Sequence, residues 1–498
     1  MARVTLLQMT IVTYVALGSL TYGYCASIIA TTLGQPSFLA YFNFAHRSNP
    51  TQIIGAINGL FQAGGFIGTM SCTVTADYLG RRKALLLGSC LSILGGALQA
   101  GSVNMTMYLI ARFITGTGIG SLVTLVPLYQ SEIAPPKIRG LLVGMHGVLI
   151  CTGYSIASWV GLGFYFVHAR GSQWRVPLAI QCIPPLILAA GTLFLPESPR
   201  WLLLQERVED AYKAFKAVRA EASDPADEEA VRHEFNHLNA QLLQERLEAI
   251  SFMDFLRKPS YRKRCFVGFM VQFTGQSTAT QVINNYGPSL YSSLGFGTVQ
   301  QLLIQSGWVT ICPFGNYINA LVVDRVGRVK MLVFGFTGCV LALIGEAITV
   351  SVYARTGERQ VAGAAVFFLF MHITCYSISV DATTWIYASE IFPTPVRAKG
   401  MSVSISGLFV ATIIYLQCAP TAFAEIGWKY YLVFICATAV MIPVVWFFFP
   451  ETSQSSLEQI GAFFGDNVEV DDDIVPEKQR IQTEHIETEH VDKVAQEP

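Results

Sequence analysis

The chain has 498 residues, of which 52% are hydrophobic and only 13% are charged, and its mean hydropathy is +0.45. A water-soluble protein of this size could not cover its surface with so few charges. A formal net charge of −1 gives no ground for nucleic-acid binding, and the eleven cysteines sit mostly inside apolar runs without metal-ligand spacing.

The apolar residues come in blocks of membrane-crossing length. The first group is Met9–Gly34, Ile53–Thr75, Ala84–Val103, Tyr108–Leu128, Val143–Val167 and Val176–Leu195. The second is Cys265–Leu290, Gln300–Val323, Met331–Val352, Gly363–Ser389, Met401–Phe423 and Trp428–Phe449. Peptide groups have no water partner in hydrocarbon, so each run is expected to be helical. Met1–Thr5 carries one Arg and the next run is too long for a signal sequence, so no cleaved leader is expected. The predicted fold is an all-α membrane protein of twelve spans in two six-helix halves, residues 1–195 and 264–450. A charged helical linker, 196–263, joins them, and a polar tail, 451–498, follows. Its Asp471–Asp473 run has little to bury and is expected to be disordered.

Lys and Arg set the expected sidedness. One set of short loops holds Arg81, Arg82, Lys83, Lys137, Arg139, Arg325, Arg328, Lys330, Arg397 and Lys399; the other holds Arg47, Arg170, Arg175, Arg355, Arg359 and Lys429. The richer set, with the linker, is expected in the cytoplasm, as are both termini. Asn104 matches a glycosylation acceptor but lies too close to the membrane to be used.

Each half carries the same punctuation. Asp77 to Arg81 recurs as Asp324, Arg325 and Arg328; Glu132 with Arg139 recurs as Glu390 with Arg397; Glu197 with Arg200 recurs weakly as Glu451. The offsets of 247, 258 and 254 residues keep one register, which points to structural repeats. Repeated halves imply a solute site between them near the midplane, exposed to each side by rocking. The repeated charges lie at the expected cytoplasmic ends, where they could bridge the halves as a gate or simply anchor span ends.

These residues carry a resemblance. Asp77-x-x-Gly80-Arg81-Arg82, Arg112-Phe113-x-x-Gly116-x-Gly118-x-Gly120, Pro127-x-Tyr129-x-x-Glu132, Pro196-Glu197-Ser198-Pro199-Arg200 and Trp385-x-x-x-x-Glu390-Ile391-Phe392-Pro393 together resemble the sugar porter family of the major facilitator superfamily. The resemblance implies a transporter rather than an enzyme, for a monosaccharide or disaccharide, passive or proton-driven. It implies no cofactor or metal, a monomer, lipid as surroundings and a plasma-membrane location.

The family reads its sugar with amides of the seventh span and a Trp of the tenth. On this chain these fall on Gln276, Gln281 and Asn284, and on Trp385. Counting from Gln-Phe-x-Gly instead favours Gln272, one turn away. A Trp of the eleventh span falls on Phe409.

Three departures stand out. The first-span acid that would pair with Arg112 is Cys25, which favours a passive carrier; the fifth-span Gln is Gly147, beside His146; and a tenth-span Gly-Pro is Asp381-Ala382. Asp381 is a candidate for the missing intramembrane acid, binding solute or proton, or else a group bonded within the bundle. His146 and His372 either titrate in function or are packed and neutral. Glu346 is expected near the outer surface within reach of water. The alternative substrate is another polar metabolite such as a polyol, an organic acid or a secondary product.

Overall fold

The computed structural model describes residues 6–133, 139–167, 169, 171–219, 231–232, 234–236, 238–240, 242, 255, 257–393, 396–453 and 457–465, without the side chains of 6–8, 73, 139–144, 219, 398 and 457–459. The side chain of Arg139, the middle of the linker and the tail with Asp471–Asp473 lie outside the described residues.

Twelve helical spans form two groups of six. The first is Leu6–Val15 with Leu17–Leu33, then Pro50–Leu79, Arg81–Ala100, Met105–Ile133, Arg139–Tyr165, and Ser172–Ile180 with Ile183–Thr192. The second is Pro259–Gln276 with Thr280–Ser293, then Thr298–Val326, Arg328–Thr356, Arg359–Ser379 with Asp381–Glu390, Arg397–Glu425 and Tyr430–Phe448. Short linker helices at Pro199–Leu204 and Val208–Arg219 follow the first group, closing a small core around Leu202, Phe215 and Phe235.

Ten spans are long and apolar enough by themselves to cross a membrane; the seventh and eighth fall short. Their polarity has a structural reason. Gln272, Gln276, Asn284 and Asn285 of the seventh span, and Gln305, Asn316 and Asn319 of the eighth, are all buried inside the protein rather than turned to lipid.

Within the first half, the second and fourth spans meet backbone to backbone. A Cβ on Gly116 would lie 2.1 Å from the Phe61 carbonyl oxygen, and one on Gly120 would lie 2.1 Å from that of Gly65. Between lipid-solvated helices such close approach replaces the hydrophobic drive that water would supply. The halves join through the second span against the eleventh, the fifth against the eighth and the first against the seventh.

Replacing Gly120 by Ala forces these backbones apart. The expected loss is about 1–3 kcal/mol, seen as a thermal midpoint lower by several degrees in a detergent melt. An unchanged midpoint would mean that the two spans do not meet as described.

Candidate functional site

Two spans of the second half that face the first half are broken. The seventh stops at Gln276 and restarts at Thr280; the tenth stops at Ser379 and restarts at Asp381. Neither break contains Gly or Pro. Hydroxyls do the local work by bonding carbonyls of the preceding turn: Ser277 to Phe273 (2.9 Å), Thr278 to Gly275 (2.8 Å), Ser377 to Thr374 (3.4 Å), and Ser379 to Cys375. Such back-bonding bends helices and competes with the regular ladder.

The breaks flank a cavity between the halves. Gln276, Thr280, Gln281 and Asn284 line it from the seventh span, and Tyr376, Asp381 and Trp385 from the tenth. The first half supplies Tyr22, Gly147, Ile150 and Tyr154. The space open to the centre of a water-sized sphere is about 30 Å³. That suits one or two waters, so a sugar-sized solute needs the halves to part. Among the described residues, the buried Gln276 Oε1 and Asn284 Nδ2 have no hydrogen-bond partner. An acceptor and a donor left open beside one cavity call for a ligand that both gives and takes hydrogen bonds.

Asp381 joins the halves at this level. Its Oδ2 accepts from Asn316 Nδ2 (2.8 Å) in its own half and from the Cys151 thiol (3.3 Å) in the other. Asn316 also donates to Cys151 Sγ at 3.2 Å. Gln281 Nε2 reaches Tyr154 across the interface at 3.4 Å. Towards the end away from the repeated charges, Ser27 meets Asn284 (3.4 Å), Ser155 donates to the Val309 carbonyl (3.1 Å) and Trp159 to Thr310 (3.0 Å). The interface is closed on that side.

The remaining predicted residues stand further out. Gln272 is buried with its amide on the Thr384 carbonyl (3.4 Å), and it is Gln276 and Gln281 that line the cavity. His146 bonds Ser19 (2.7 Å) and sets its ring edge against Trp385, with centroids 5.5 Å apart. Phe409 is buried against Gly65 of the second span, next to the cavity-lining Leu408. Arg112 is fully buried and lies over the Phe61 ring at 4.0 Å, donating to the carbonyls of Ile57 and Cys25 (both 3.3 Å). It makes no ion pair among the described residues, and its Nη2 has no partner there. Glu346 departs from expectation: it is 1% exposed, because the ninth span turns it towards Tyr291 and Tyr431 rather than towards water. Tyr22, Cys151, Tyr154, Asn316 and Tyr376 were not singled out from the sequence. Asn316, an amide one turn from Asn319 in an otherwise apolar stretch, was the one with a readable signal.

The repeated charges form two matching clasps. In the first half, Arg81 pairs with Glu132 (2.9 Å) and Asp77 (3.2 Å); in the second, Arg328 pairs with Glu390 (2.8 Å) and Asp324 (2.6 Å). Glu197 accepts from the backbone N–H groups of Arg81 (2.9 Å) and Arg82 (3.1 Å), and Glu451 from those of Arg328 (2.7 Å) and Val329 (3.0 Å). The Tyr129 and Tyr387 hydroxyls donate to the Pro196 and Pro450 carbonyls, 2.6 and 3.1 Å away. Gly80 and Gly327, with φ of 88° and 100°, make room: a Cβ would lie 2.6 Å from Glu197 and 2.7 Å from Glu451. These pairs tie span ends within a half, the anchoring arrangement that the sequence offered beside bridges between halves. Arg325 is exposed, Arg200 is half-buried, and Arg397 donates to the Phe392 carbonyl at 3.4 Å.

Two matched bundles around a polar cavity, with each bundle tied at one end, define a multi-pass membrane carrier. The chain belongs to the sugar (and other) transporter family, whose model matches residues 11–464, and it is a transporter rather than an enzyme. It is 33% identical to the MFS-type transporter criB of Aspergillus cristatus, over 90% of this chain and 91% of that one. It is 30% identical to the quinate permease of Neurospora africana, over 89% and 86% of the two chains. Its fold matches the proton:xylose symporter XylE bound to 6-bromo-6-deoxy-D-glucose with a TM-score of 0.75, covering 92% of this chain and 99% of that one at 21% identity.

Replacing Glu451 by Ala leaves the first N–H groups of the ninth span unanswered. The expected cost is about 1–2 kcal/mol, read as a lower thermal midpoint. The Gln variant, which keeps an acceptor, should recover part of it. Equal midpoints for the Ala variant and wild type would remove the clasp.

Proposed function

We propose that the chain carries a neutral, polyhydroxylated solute, a monosaccharide or disaccharide by first choice, across the plasma membrane by alternating access. The reading rests on one observation: open hydrogen-bonding atoms of Gln276 and Asn284 border a cavity that also presents Gln281, Asp381 and the Trp385 ring. Amides and a carboxylate suit hydroxyls, and an aromatic ring suits the C–H face of a sugar. His146, behind Trp385, and Phe409, beside Leu408, support the lining rather than the solute.

The excess of Lys and Arg favours a cytoplasmic clasp end, with both termini on that side. The conformation is then the one shut to the outside. The clasps keep each half rigid as it rocks, and the exposed Asp77, Asp324 and Arg325, with Arg200 and Arg397, are read as gate charges towards the opposing half; Arg139, of the same set, has its side chain outside the described residues. We read the protein as a monomer in lipid.

Arg112, with Cys25 where an acid would stand and no ion pair among the described residues, favours passive movement over proton coupling. A second reading, a hydroxylated organic acid, is favoured by the quinate-permease relative, but its carboxylate would face Asp381.

Radiolabelled D-glucose, D-xylose, maltose, glycerol and quinate, offered to a transport-deficient yeast expressing the chain, test this reading. Uptake of a neutral panel member without alkalinisation of the medium is expected; uptake of quinate alone would overturn the substrate class, and alkalinisation the passive reading. Gln281→Ala should raise KM roughly 2–10-fold, the worth of one hydrogen bond. Asp381→Asn should change uptake or its pH dependence; wild-type behaviour in both would remove Asp381 from the site.

A further inference from the structure

The break in the seventh span has no local cause strong enough to fix it. Ser277, Thr278 and Thr280 are all found within helices, and Ala279 is the best helix former of all. Yet Ala279 sits in the left-handed region at φ 69°, which a residue with a Cβ adopts only when its surroundings impose it. Turning Ala279 back to the helical region would let the two segments merge, and the outer segment, with Gln281 and Asn284, would rotate about the span axis.

What opposes this merger comes from other spans. Carbonyls at the end of a helix segment need partners, most of all away from water. The Ser277 carbonyl accepts from Thr438 Oγ1 of the twelfth span at 3.0 Å. The Thr278 carbonyl accepts from His372 Nε2 of the tenth span at 2.7 Å. A carbonyl only accepts, so Nε2 bears the hydrogen, and Nδ1 has no partner among the described residues. His372 is fully buried, and its ring stacks on Tyr376, a cavity residue, at 6.5 Å and 11°. One imidazole thus touches both broken spans.

We infer that His372 is a positioning residue for transport: its bond to the Thr278 carbonyl holds the seventh span open and fixes where Gln281 and Asn284 meet the solute. This deepens the proposed function and rests on the cavity being the solute site. The imidazole needs no change of charge for this role. It needs a buried N–H donor at that point, which Phe lacks and Gln retains.

The test is a KM and Vmax series in the same yeast host, with the panel solute that wild type carries fastest. His372→Phe keeps a ring on Tyr376 but loses the donor; KM should rise about tenfold or more with Vmax within about twofold. His372→Gln should return KM to within about threefold of wild type. Ala279→Gly removes the penalty of the left-handed residue, so added to His372→Phe it should lower KM again. A wild-type KM in His372→Phe would overturn the inference, and so would a raised KM that neither Gln nor the glycine corrects. Should His372→Phe fail to reach the membrane, His372→Gln decides alone: a KM raised more than about tenfold refutes the latch. If wild type moves no panel solute, the proposed function fails first, and the latch is then judged on purified protein. There, Ala279→Gly should raise the thermal midpoint of His372→Phe above that of His372→Phe alone, and no rise would overturn it.

Discussion

Hydrocarbon offers a peptide group nothing to bond, and the arrangement of this protein follows from that single fact. Wherever a span runs unbroken, its own ladder satisfies it. Wherever a span breaks, something else must supply donors, and in this chain the breaks fall where two halves and several hydroxyl-bearing helices converge. The Ser277 and Thr278 carbonyls are answered from the twelfth and tenth spans. The same constraint explains why the seventh and eighth spans can be too polar to insert by hydropathy alone: their amides never meet lipid. A binding site for a hydroxylated solute is then a place where this bonding is left deliberately incomplete.

The clasps serve the opposite end of the same problem. Between the second and third spans, and between the eighth and ninth, the chain turns within one residue, and the first N–H groups of the following helix have no internal partner. Glu197 and Glu451 meet that need from a remote segment, while Arg81 and Arg328 bind the carboxylates of two other spans. Each clasp therefore joins several helix ends at one point. A half fixed in this way can tilt without its helices sliding, which confines the motion to the interface where the cavity lies.

How much of this could be read beforehand depended on whether the signal was local. Span lengths, the charged punctuation and the repeat were legible, since each is a short pattern with a fixed physical reason. Within the second half, Trp385 was found by its spacing to Glu390, and the register ending at Tyr286-x-Pro288 placed Gln276 and Gln281. Of the first half's share of the cavity, only Gly147 was legible, as the place of the family's fifth-span Gln. Tyr22, Cys151 and Tyr154 look like ordinary packing residues until the halves are brought together, and no period marks them. The clasps were found as motifs, but which of their two readings they follow was not legible, because charge alone does not say whether its partner lies in the same bundle. Glu346 was misplaced for a related reason: a carboxylate near a span end is solvated only if its helix face is, and rotation about the axis is set by neighbours.

Charge inside the bundle is divided between the two halves. The buried cation, Arg112, belongs to one half and rests on carbonyls and an aromatic face; the cavity carboxylate, Asp381, belongs to the other and rests on an amide and a thiol. Neither is held by an ion pair among the described residues. A buried ion pair is costly to part, by several kcal/mol once one charge loses its partner. A charged group's contact with a neutral dipole is worth roughly 1.5–3 kcal/mol and can be exchanged for a solute hydroxyl or a water. Of these contacts, only the Cys151 thiol on Asp381 crosses between the halves among the described residues. Parting the halves beside the cavity therefore means exchanging that contact, and the Gln281–Tyr154 bond next to it, for a solute hydroxyl or a water.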